Sequence, residues 1–210
     1  MNIQNKIQTA RTFSFTEFIQ HVNDLFGNNK VTGTTFTIRR LEATKLNIRR
    51  IRRLSNTARI DRSIKYELTN LSVKWKWTLI LEGWCGDGAQ ISPYISIMSH
   101  YTPNISLEII LRDENPEIMN QFLTNGNRSI PILICYSESQ NRILGHWGPR
   151  PTLIHKWNTD YKKNHPSYNP DDFNKELHLK YSKDKGEAIN QDMVKCIQEW
   201  KQNDKILSKT

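Results

Sequence analysis

The chain has 210 residues, 37% of them hydrophobic and 10% aromatic, and a formal net charge of +9. That length accommodates one domain with a sizeable core, or a smaller domain with additions. No run approaches the roughly 20 apolar residues of a membrane helix, and the polar stretch Met1 to Arg11 lacks the apolar centre of a secretory signal, so a cytoplasmic location is expected.

In chain order, Phe13, Phe15, Phe18, Ile19, Val22, Leu25 and Phe26 fall at helical spacing over residues 12–27, with Ser14 or Thr16 as cap and Gly27 as stop. A second helix is predicted over 41–54, where Leu41, Leu46, Ile48, Ile51 and Leu54 lie among arginines, and a third over 61–71. From there the pattern alternates: strand 75–82, helix 88–101 with an internal Pro93, strand 105–111, helix 115–124, strand 131–137, strand 142–147, helix 151–163. Strands alternating with helices predict an α/β layer structure with the first two strands parallel. The last two, separated by Ser137 to Asn141, predict an antiparallel hairpin. Residues 164–185 read as polar loop, and a final helix from about Gly186 places Ile189, Met193, Val194, Ile197 and Trp200 on one side. Three segments result: a helical N-terminal extension (1–72), an α/β core (73–165) and a C-terminal loop and helix (166–210).

Between Arg39 and Lys65 there are ten Lys or Arg against Glu42 and Asp61, so nearly all the charge excess sits in one segment. An acidic partner such as a nucleic acid, lipid headgroup or acidic protein face is one reading, and a solvated helix face is the other. Apolar residues recurring every third position between arginine pairs favour the solvated face, so nucleic acid is not expected as a partner. The six histidines are scattered and the three cysteines, Cys85, Cys135 and Cys196, lack ligand spacing, so no metal or cofactor is predicted and free thiols are expected.

Trp84-Cys85-Gly86-Asp87-Gly88 follows the first strand and opens the Pro93 helix. A cysteine at a helix start meets unpaired N–H groups and the positive end of the helix dipole, which lowers a thiol pKa from its usual value of about 8.5. Asp87 opposes that by repulsion unless it bonds the free N–H groups itself. Downstream, Arg128-Ser129-Ile130-Pro131 leads into the strand Ile132 to Tyr136. A Trp-Cys pair after a strand, a proline eight residues past the cysteine and a Ser-Ile-Pro loop before a central strand together resemble thioredoxin, over about Trp75 to His165.

The resemblance implies a thioredoxin-like fold, a cis bond at Ile130-Pro131, and a loop beside the thiol whose Ile130 backbone docks an extended substrate. Cys85 is then the candidate catalytic residue, and Trp84, Gly86, Asp87, Ile130 and Pro131 the candidate substrate-binding residues. Two departures limit the activity: Gly88 stands where Cys-x-x-Cys has its second thiol, and Leu79 where the family has a buried aspartate. Glu82 to Asp87, Leu111 to Asn115 and Gly145 to Pro151 are similar to a bacterial branch of single-cysteine thioredoxin-like proteins. The expected function is a monothiol redox protein acting on a protein or low-molecular-weight thiol or disulfide, with glutathione or bacillithiol as resolving thiol. The alternatives are a non-catalytic thioredoxin-fold module that binds a protein or anionic partner, and a sensor in which Cys85 oxidises reversibly.

Overall fold

Four strands form one sheet: β1 (Trp75–Leu81), β2 (Ile105–Leu111), β3 (Ile132–Ser137) and β4 (Arg142–Trp147), in the order β2-β1-β3-β4. The structure, a computed structural model, describes residues 3–206. β1 runs parallel to β2 and antiparallel to β3, and β3 pairs antiparallel with β4 around an irregularity at Cys135/Tyr136. The parallel first pair and the antiparallel hairpin are as predicted, and the mixed α/β sheet is the one the resemblance implies.

Side chains alternate across the sheet. Trp75 and Trp77 point to the face covered by α9 (Glu187–Ile206), where both meet Trp200 edge-on at centroid distances of 6.2 and 6.1 Å. Leu81, on the same face, lies against α5 (Gly86–His100). On the opposite face Lys76 and Thr78 both reach Glu108 of β2, and Tyr136 accepts a hydrogen bond from Gln8 of α1 (Ile3–Thr9). That short first helix was not anticipated, because Ile7 is its one buried residue.

The N-terminal helices α2 (Phe15–Gly27), α3 (Ile38–Thr57) and α4 (Arg62–Thr69) lie close to their predicted positions. A reciprocal Ser14–Glu17 capping box starts α2. The buried stripe of α3 differs from the expected one: Thr44, Asn47, Ile51 and Leu54 face inward, while Leu46 is 48% exposed. Both polar residues are satisfied there, Thr44 by the Arg40 carbonyl of its own helix and Asn47 by the Gly83 carbonyl of the loop before α5.

Two elements correct the sequence reading. The helix predicted over 115–124 is the single turn α6 (Pro116–Met119), because Asn125 and Gly126 take positive φ in a tight turn that pairs Thr124 with Asn127. The stretch read as polar loop contains α8 (Pro170–Asp184), preceded by α7 (Thr152–Asn164). Asn169 caps α8 by accepting from the Asp171 and Asp172 N–H groups, Pro170 occupies its first turn, and Phe173, Leu177 and Tyr181 form its buried stripe. The C-terminal segment is therefore two helices, not a loop and one helix.

Asp192 of α9 accepts from Trp147 Nε1 and from the Thr152 backbone, so the last helix caps α7 as well as packing on the sheet. Trp200 is 1% exposed between two tryptophans, and Gly145 leaves room for its indole. Trp200→Ala is expected to cost roughly 3–5 kcal/mol of stability, read as a lowered urea midpoint with an unchanged slope.

Candidate functional site around Cys85

Cys85 is the N-cap of α5, where its Sγ accepts the Gly88 N–H at 3.3 Å. The Ile130–Pro131 peptide bond is cis, and the thiol donates to the Ile130 carbonyl at 3.4 Å. Cys85 and the Ile130 loop are thus in contact, and the backbone N–H expected to aid a thiolate is present. The expected low pKa is not. The residue is 7% exposed, and burial, reinforced by the Asp87 charge, pushes the thiol up to about 12. Gly88 N–H and Arg150 offset only part of this. An ionised sulfur would also face a carbonyl oxygen, whereas the protonated thiol can donate to it.

Asp87 does not bond the free N–H groups of the helix start, as one reading of the sequence had it. Its carboxylate pairs bidentately with Arg150, Oδ1 to Nε at 2.9 Å and Oδ2 to Nη2 at 2.7 Å, and accepts from the Tyr181 hydroxyl at 2.8 Å. Arg150 follows the cis Gly148–Pro149 bond after β4, and Tyr181 comes from α8. Beside them, Gln90 Nε2 donates to His178 Nδ1 at 3.1 Å, and a side chain at Gly86 would meet the His178 ring at 3.0 Å. Helix α8 therefore places Tyr181 and His178 against the first turns of α5, beside Cys85.

Gly88 has a packing reason besides lacking a thiol: a Cβ there would stand 2.1 Å from Leu81 Cδ1 and 3.5 Å from Cys85 Sγ. Cys135 lies inside β3, in register with Trp77 of β1, and Cys196 on α9 is half-buried. All three cysteines are free.

Trp84 turns to another surface. Its indole N–H donates to the Thr32 carbonyl, and its ring lies between the Arg40 and Arg112 guanidinium groups, 4.1 and 4.7 Å from the ring centroid. Asp113 pairs with both arginines, and its N–H donates to Glu82, a buried carboxyl whose pKa burial raises. Trp84 and Gly86 line a groove between α3 and α8, of which Cys85, Ile130 and Pro131 form no part.

The candidate residues thus divide. Cys85, Asp87, Ile130 and Pro131 form a closed, buried cluster, while Trp84 and Gly86 face an open groove. Arg150, Tyr181, His178 and Asn47 were missed as site residues. Gly145 to Pro151 drew notice as a motif without a role, and the α8 residues had only the Asn169-Pro170 helix-start signal. Among the described residues no group of three or more His, Cys, Asp or Glu could hold a metal, and no helix is long and apolar enough to cross a membrane.

A strand that ends on a cysteine-capped helix facing a cis X-Pro loop defines a thioredoxin-fold protein. A thioredoxin family model matches residues 33–162, more than half of the chain, and the chain belongs to that family. No curated protein matches the chain. A crystal structure of a protein of unknown function from Pseudomonas aeruginosa matches with a TM-score of 0.53 at 17% identity, covering 89% of this chain and 98% of that one. An HIV epitope-scaffold structure matches with a TM-score of 0.50 at 18% identity, with the same coverage. At these identities the two likenesses concern the fold alone.

Breaking the buried Asp87–Arg150 pair leaves an uncompensated carboxylate, so Arg150→Met is expected to cost about 3–5 kcal/mol in urea unfolding. Burial, then the charges of Arg50 and Arg150, lower the His178 pKa from 6.5 to about 4. The unfolded chain therefore binds the extra proton in that window, so this residue's contribution is fully present above pH 6.5 and is lost as pH falls through about 4. His178→Gln is expected to remove that part of the slope in a series of urea midpoints against pH.

Proposed function

We propose that this protein is a thioredoxin-fold binding module in which Cys85 rests as a closed, protonated thiol, and that it recognises a protein or an anionic partner without dithiol turnover. The observation that carries this reading is the buried hydrogen bond from the Cys85 thiol to the Ile130 carbonyl. It occupies the backbone oxygen beside the thiol and keeps the proton on sulfur. The lock of Asp87 by Arg150 and Tyr181 supports it, since α8 would have to lift before a disulfide could reach the sulfur. In this reading residues 73–165 are the thioredoxin-like core, and the additions at 1–72 and 166–210 supply α3 and α8 as groove walls. Three free cysteines support a reducing compartment, the cytoplasm.

A second reading is favoured by one observation, the Gly88 N–H aimed at Sγ from the start of α5. With α8 displaced, that donor would stabilise a thiolate, and Cys85 would act as a monothiol on a protein or low-molecular-weight disulfide, released by an external thiol such as glutathione or bacillithiol. Iodoacetamide labelling resolved by peptide mass spectrometry separates the two. The closed-thiol reading expects Cys85 to label at pH 7 at least ~100-fold slower than a small thiol of ordinary pKa, and expects no reduction of insulin disulfides. Labelling of Cys85 at the small-thiol rate would sink it in favour of the monothiol reading.

A further inference from the structure

We propose that the groove between α3 and α8 binds a small ligand through a carboxylate or phosphate group, with the Arg50 guanidinium as the principal partner and the His178 ring N–H as a second donor. This deepens the binding-module reading and rests on it.

The groove encloses about 660 Å³, and both residues line it beside Trp84 and Gly86. Its other charges are largely neutralised. Arg39 pairs with Asp171 at 3.2 Å, Lys175 with Asp172 at 2.9 Å, and Arg40 with Asp113 while stacked on Trp84. Glu42 is exposed. Arg50 differs from all of these. It is half-buried, and among the described residues it makes one hydrogen bond, Nη1 to Asn47 Oδ1 at 2.8 Å, and no ion pair. A guanidinium has five N–H donors, so four are unused in a place where burial and the neighbouring Arg53 already oppose its charge. Removing a charge from water without a counter-charge costs free energy that an oxyanion would restore.

Arg50 is also held in position. Asn47 is fully buried, its Nδ2 donates to the Gly83 carbonyl at 3.0 Å, and its Oδ1 fixes the guanidinium. The loop that leads to Cys85 thereby orients the cation. His178 supplies the second donor by elimination. The Gln90 amide nitrogen can only donate, so Nδ1 accepts and the proton of the neutral ring sits on Nε2, which with Cε1 would stand 3.0 Å from a Cβ added at Gly86. Both donors belong to residues that line one concavity sized for a small molecule, whereas Arg49 and Arg52 are exposed on the same helix.

The test is a titration of the full chain with inorganic phosphate and, separately, with glutarate at constant ionic strength, followed by the NMR signals of the Arg50 side chain and the Trp84 indole N–H. Saturable shifts with at least one probe are expected, and the stronger binder tells which oxyanion the site takes. Arg50→Gln should weaken binding roughly 10- to 100-fold, the range of a charge-assisted hydrogen-bonded pair, while Arg49→Gln leaves it unchanged. Arg50→Lys, which keeps the charge and loses the fork, should also bind more weakly, and serves if the Gln variant does not fold. Absence of saturable shifts with both probes would overturn the proposal, as would equal losses in the Arg49 and Arg50 variants. Cys85 labelling is independent of this titration. Fast labelling with an intact anion site defeats only the closed-thiol reading, and slow labelling with no anion binding defeats only this one.

Discussion

The closed state of this molecule depends on one buried charge pair. Asp87 sits two residues past the cysteine, where its carboxylate would be a liability inside the protein unless compensated. Arg150 supplies the counter-charge from beyond β4, and Tyr181 supplies a hydroxyl from α8. Because those partners come from two separate segments, the pair ties the cysteine turn to the last strand and to the C-terminal helices at once. The covered thiol, the neutral His178 and the groove beside α8 all follow from that attachment.

Position and environment act against each other at Cys85. A helix N-terminus favours a thiolate, and the Gly88 N–H is in place to do so. Desolvation is the larger effect, because Cys85 is buried with its thiol against the Ile130 carbonyl. At this position in the fold, the environment supplied by Ile130, Arg150 and Tyr181 outweighs the helix terminus.

The basic segment divides in a comparable way. Most arginines of α3 face solvent, as the repeating apolar residues between arginine pairs implied. Arg50 is set apart by Asn47, a fully buried polar residue outside the apolar stripe that the sequence pattern marks. No periodicity argument finds such a residue, since its value lies in a carbonyl 36 positions away.

Much of the core was legible from local rules: the strand pattern, the parallel pair, the hairpin and the helix opened by Cys85 all follow from side-chain periodicity and turn chemistry, which act over a few residues. Helix α8 carried a start signal in Asn169-Pro170-Asp171-Asp172, but its apolar stripe of Phe173, Leu177 and Tyr181 is too thin to stand out among charges. Sequence alone determined that a lone thiol caps the helix after β1, with no second cysteine one turn on. Only the tertiary structure decided that this thiol is buried beside a compensated charge, because that environment depends on Arg150, Tyr181 and His178, which lie 63 to 94 residues along the chain from their partners.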